Sequence, residues 1–165
     1  MTDTRGRLNI DAGPGQWNLS GSIDETSALT ELLSRAQHGS LVLDLAGVTF
    51  INSLGVRDWI RMQNEATRQG LAIELRRVSE PIIHQLNMII ATRGTSRVTS
   101  FYAPYACDSC GREESQLIDV AANAVGLANL VAPTITCPEC AAQMAFNDFP
   151  ERYFSFLVPE TPRPG

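Results

Sequence analysis

The sequence contains no lysine: all 13 of its basic residues, among 165, are arginines. Without a lysine amine there is no Schiff-base chemistry and no P-loop ammonium to cradle a phosphate. Histidine is nearly as scarce, with only His38 and His84, neither of which has a cysteine nearby. Both read as bystanders. No cysteine precedes Cys107. No stretch reaches the roughly 18 uninterrupted apolar residues of a spanning helix, and the N-terminus lacks the basic-then-apolar order of a secretion signal. The expectation is a cytoplasmic chain without membrane insertion, and an inventory too thin to assemble nucleophile, base and orienter points away from an enzyme.

Charge is unevenly spread. Residues 1–102 hold ten arginines against ten acids, whereas residues 103–165 hold three against eight, so the net charge of −5 lies in the C-terminal third. That part would repel phosphate backbones, and nucleic acid is not an expected partner.

What is present is organised around residues 40–69. Leu41 to Leu45 is an apolar run broken only by Asp44, the pattern of a strand covered on both faces. Ala46 and Gly47 read as a turn. Val48, Phe50 and Ile51 then lead into Asn52 and Ser53, whose short polar side chains suit the start of a helix. That helix sets Val56, Trp59, Ile60 and Ala66 on one side and Arg57, Asp58, Arg61, Asn64, Glu65 and Arg68 on the other, with Gln63 an imperfect inward position. Gly70 ends it. A polar hydroxyl at a helix N-terminus is a place that favours negative charge.

The run Val42-Leu43-Asp44-Leu45-Ala46-Gly47-Val48-Thr49-Phe50-Ile51-Asn52-Ser53-Leu54-Gly55-Val56 resembles the central motif of STAS domains, the sulfate transporter and anti-sigma factor antagonist family. In the bacterial antagonists such a strand is followed by Asp-Ser-(Ser/Thr/Ala)-Gly, and the serine is phosphorylated by a partner kinase. Ser53 matches that serine and Gly55 the glycine, while Asn52 and Leu54 depart from the pattern. A second resemblance is Leu19-Ser20-Gly21-Ser22-Ile23-Asp24, similar to the family's Gly-x-(Leu/Ile)-Asp before its first helix. The resemblance implies a protein partner, an anti-sigma factor or serine kinase, docking on Asn52, Ser53, Leu54, Gly55, Arg57 and Arg61, with Ser53 as phosphoacceptor. The oligomeric state is left open.

Around that centre, the residues on either side of Gly13-Pro14-Gly15 read as a hairpin. Asp24 or Thr26 would cap a helix through Ala28, Leu29, Leu32, Leu33 and Ala36, closed by Gly39 with His38 in its last turn. Leu71 to Val78 reads as a strand, Ser79 with Pro81 as the start of a helix through Leu86, and Ser96 to Tyr102 as a last strand. The fold expected for residues 1–102 is therefore α/β, a mixed sheet with helices packed on it, STAS-like in order.

All four cysteines fall beyond it, as Cys107-Asp108-Ser109-Cys110 and Cys137-Pro138-Glu139-Cys140. Two CxxC pairs have the ligand count of a closed tetrahedral zinc site, with no open position for catalysis, although 26 residues separate the pairs. Iron–sulfur ligation needs the same four thiolates and stays open. A disulfide in each pair suits an oxidising compartment, and a redox CxxC needs a strand-to-helix setting that neither pair shows. Gly111 suits a knuckle whose N–H groups point at sulfur. Residues 103–158 thus read as a zinc-ribbon-like module holding structural Zn²⁺, with strands at Ser115–Val120 and Val131–Thr136. Phe146, Phe149, Tyr153, Phe154, Phe156 and Leu157 would close it or dock it on its neighbour. Residues 159–165 read as a disordered tail. Three functions follow: a binding protein switched at Ser53, an adaptor that needs no phosphorylation, and, from another class, a metal or redox enzyme.

Overall fold

The computed structural model describes residues 6–158, so the expected tail at 159–165 lies outside the described residues. Two sheets share one core. The first has five strands in the order β1 (Asn9–Gly13), β2 (Gln16–Ile23), β3 (Ser40–Ile51), β4 (Ala72–Arg76) and β5 (Arg97–Val98). β1 and β2 are the expected antiparallel hairpin, and every later neighbour is parallel. Each parallel step moves the same way along the sheet. Right-handed crossovers then put every connecting helix on one face: a 3₁₀ helix at Leu29–Arg35, α1 at Ser53–Gln69 and α2 at Glu80–Met88.

That face holds the core. Alternate residues of adjacent strands, Leu41, Leu43 and Leu45 with Ile73 and Leu75, are buried against Trp59, Met62, Ile82, Ile83 and Leu86. Trp59 also donates its indole N–H to Thr92 O at 2.8 Å, which fixes the loop behind α2. The expected cover on both faces of β3 is corrected on the other side, where Asp44, Glu74 and Arg76 alternate outward. Asp44 is nonetheless buried, because Arg77 Nε (2.6 Å), the Ala46 N–H (3.0 Å) and Gln16 Nε2 (3.2 Å) all donate to its carboxylate. Hydrogen-bond donors, including the Arg77 charge, take the place of water around it.

Several local expectations change. Ala46 and Gly47 are not a turn but part of a continuous β3, with pairing shifts against β2 on either side. Gly47 is there because a Cβ would come within 2.5 Å of the Ser20 Cβ. The first helix is a seven-residue 3₁₀ segment, entered through Ala28 in the left-handed region with no side-chain cap. Asp24 accepts instead from Thr26 N–H and Oγ1, a local turn, and His38 with Gly39 forms a separate turn beyond the segment. The single strand expected at Ser96–Tyr102 is split at Thr99, whose N–H bonds Leu75 O while its own carbonyl accepts from Val120 N–H, just past the end of the Glu113–Asp119 strand. The strand expected at Val131–Thr136 shortens to Ile135–Thr136.

The second sheet is antiparallel, in the order β7 (Glu113–Asp119), β6 (Ser100–Ala106), β9 (Gln143–Phe146) and β8 (Ile135–Thr136). β6 begins at Ser100 and runs across the 102/103 boundary drawn from sequence. A short helix, α3 (Ala124–Ala128), lies between β7 and β8. Val78 ties the two sheets, its N–H bonding Ser100 O at 3.1 Å and its carbonyl accepting from Tyr102 N–H at 2.9 Å. The aromatic cluster completes the joint. Phe101 packs edge-on to Phe154 and Phe156, Phe146 stacks on Phe154, and Tyr153 donates to Tyr102 O. Asn87 of α2 holds the same segment through Tyr153 O, Phe156 N–H and Ser155 Oγ. Phe149, expected in the cluster, is exposed.

Candidate functional site

Two places carry the chemistry expected from sequence, and the fold sets them on different sheets. The first is the cysteine cluster. Cys107 leaves β6, Cys110 precedes β7, Cys137 follows β8 and Cys140 precedes β9, so two strand ends and two turns deliver four sulfurs to one point. All four Sγ atoms lie within 4.8 Å of one another, with Cys107–Cys140 at 3.5 Å and Cys110–Cys137 at 3.6 Å. No disulfide joins them. Tetrahedral thiolates at a metal–sulfur distance near 2.3 Å stand about 3.8 Å apart, which this cluster approaches.

Each pair forms the same knuckle. Cys107 N–H bonds Arg112 O and Gly111 N–H bonds Cys107 O, both at 2.8 Å; Cys137 N–H bonds Ala142 O at 2.7 Å and Ala141 N–H bonds Cys137 O at 3.0 Å. Gly111 and Ala141, each four residues past the first cysteine of its pair, both have left-handed φ, 76° and 61°. Gly111 was legible in the sequence; the equivalent duty of Ala141 was not, although its equal offset was the available signal. Because a Cβ is strained there, Ala141→Gly should stabilise the fold by about 1 kcal/mol, read as a raised urea midpoint with unchanged slope.

The thiols show what the cluster needs. The Cys110 N–H, partly offset by burial, favours the Cys107 thiolate and holds its pKa down at about 7. At Cys110 the Arg112 N–H works the same way, but burial and the sulfurs of Cys137 and Cys107 outweigh it and push the pKa to about 12. Cys140 goes the same way: the Ala142 N–H lowers it, while the Cys107 sulfur and burial prevail and raise it. Cys107 ionises readily, and Cys110 and Cys140 then resist. A divalent cation removes that conflict, so the donor set fits a metal. Arg112 sits beside the cluster, bridging Glu114 (2.5 Å) and Glu139 (2.8 Å).

The second place is the start of α1. Asn52, not Ser53, is the cap: its Oδ1 accepts from Gly55 N–H at 2.8 Å. Ser53 is the first helical residue, and both it and Leu54 are exposed, Leu54 at 39%. Ser53 is therefore not the capping residue, and Leu54 is not buried beside it. Gly55 is buried, and a Cβ there would lie 2.3 Å from Ile23 O. Gly55→Ala should push α1 off the end of β2 and cost about 1–3 kcal/mol, measured by denaturant unfolding. Arg57 and Arg61 are exposed and both reach Asp58, at 3.7 and 3.6 Å, while Arg68 pairs with Glu65. Sequence reasoning missed Glu25, which accepts from Asn52 Nδ2 at 3.0 Å and puts a carboxylate beside the Ser53 loop. Only the fold brings positions 25 and 52 together.

Among the described residues no helix is long and apolar enough to cross a membrane. No family model matches the chain, and no curated protein matches it.

Proposed function

We propose that the chain is a non-enzymatic regulatory protein that binds a protein partner through the exposed start of α1, with Ser53 as the phosphorylated switch and a structural zinc ion in the four-cysteine cluster. The single observation that carries this reading is the division of labour at positions 52 and 53. Asn52 makes the cap bond, which leaves the Ser53 hydroxyl exposed on the first residue of a 17-residue helix. A phosphate there would add about −1.5 to −2 charges. The helix end and the absence of any acid in the first turn would favour that charge on the chain itself. A partner packed on Leu54 and the Arg57–Arg61 strip would then face a bulky dianion. The resemblance to the STAS motif agrees with an anti-sigma factor or serine kinase in the partner's place.

The alternative, an adaptor that needs no phosphorylation, is favoured by Glu25, whose carboxylate beside Asn52 opposes a second negative group. A photoreactive side chain at position 57, in the full chain expressed in the cells it comes from, separates the two. The switch predicts a protein crosslink in the wild type that falls at least about tenfold with Ser53→Asp, a change of about 1.4 kcal/mol. An undiminished crosslink assigns the adaptor, and no crosslink at all overturns both. The zinc assignment rests on four thiolates with no open position. An iron–sulfur cluster on the same sulfurs would colour the protein, and zinc would not.

A further inference from the structure

The proposed recognition surface lies at the C-terminal end of β3. At the other end of the same strand the chain builds a cleft of about 350 Å³ that the proposed function does not use. Two turns form its walls. One joins β1 to β2, with Gly15 at φ 67°. The other is the His38–Gly39 turn, closed by Gln37 N–H to Ser40 O at 2.8 Å and Ser40 N–H to Gln37 O at 3.0 Å. Positive φ at both central residues, 52° and 76°, is the geometry of a type I′ turn, a conformation that suits Gly39 and strains His38.

The charge inside is of one sign. Among the described residues Arg35 and His38 are the ionisable residues of the lining and no carboxylate lines the cleft, in a chain whose net charge is −5. The guanidinium of Arg35 lies over the Trp17 ring, 4.5 Å from its centroid. Its Nη1 is buried and has no hydrogen-bond partner among the described residues. A buried charged donor without an acceptor is a costly arrangement in a folded chain, and a shift of the part-buried Arg35 side chain toward the cleft lets an acceptor there relieve it. Gln16 donates to Asp44 at 3.2 Å, and the Asp44 charge is met by Arg77 at 2.6 Å.

We infer that this cleft binds a small organic anion, a carboxylate or phosphate monoester whose head meets the Arg35 guanidinium and whose body lies against Trp17. The volume is at the small end of ordinary ligand pockets, about 300–1,000 Å³, and a planar guanidinium serves either head group.

Proton–nitrogen correlation NMR on the full chain tests it, with phenyl phosphate in one arm, benzoate in the other and sodium chloride at matched ionic strength as reference. The expected result is a saturable shift of the Trp17 indole N–H and Arg35 Nε–H in at least one arm, with a Kd of about 1 mM or lower. The stronger arm names the head group. The Trp59 indole, buried and bonded to Thr92 O, should stay in place and report an intact fold. Arg35→Gln should weaken binding at least tenfold, and Arg35→Lys, which keeps the charge but not the fork, should weaken it less. Shifts no larger than those from sodium chloride in both arms would mean that the cleft holds only water and would overturn the inference. Equal binding by Arg35→Gln with the Trp59 signal unmoved would overturn the assignment to Arg35.

Discussion

A strong chelator, by removing the proposed zinc ion, should melt the β6–β9 sheet. That sheet brings only a few buried apolar side chains to the shared core, Phe101, Ala103, Tyr105, Ile118 and Met144, and has two strands of four residues or fewer and four sulfurs at the points where its strands end. A core of that size does not hold a sheet by itself. Structural zinc contributes an apparent ~10–16 kcal/mol in small metal-dependent folds, more than most whole domains possess. Hydrogen exchange read by mass spectrometry should show residues 100–146 losing protection on chelation and, because the two sheets share one core, a smaller loss in β2, β3 and α1. Cys137→Ser should reproduce the loss without chelator, since it removes a buried ligand. Exchange unchanged by both treatments would mean that the sulfurs do not hold the sheet.

Phe154→Ala should be the most damaging substitution outside the cysteines. The ring is fully buried, stacked 5.0 Å from Phe146 and edge-on to Phe101 at 6.0 Å, where the C-terminal segment, β6 and β9 meet. Truncating a buried phenylalanine costs about 3–5 kcal/mol. Because Phe101 is also where β6 bridges to Val78, the loss should fall on both sheets together. Calorimetry should show one transition moved to lower temperature. Two separated transitions with the first sheet's unchanged would show that the aromatic cluster does not couple them.

The parts that could be read from sequence were those whose cause is local. The α1 pattern, its Gly70 stop and the two CxxC pairs each depend on residues a few positions apart, and each is found where it was expected. Where the cause lay far along the chain, reading failed. Gly47 is a glycine because Ser20 approaches it from β2, so a strand residue was taken for a turn. Thr99 divides its hydrogen bonds between Leu75 and Val120, which cut a single expected strand in two. At the helix start, sequence offered two capping residues, Asn52 and Ser53. The extended backbone of Asn52, φ −97° and ψ 177°, decided between them, since only a residue just outside the helix can turn its side chain onto Gly55 N–H. The same choice is what exposes the Ser53 hydroxyl.

Native mass spectrometry of the full chain, purified from the cells it comes from, tests the account most directly because one spectrum reads both halves. The account predicts one zinc ion per chain, together with a population heavier by one phosphate that disappears in Ser53→Ala. A metal-free mass with no phosphorylated species would contradict it.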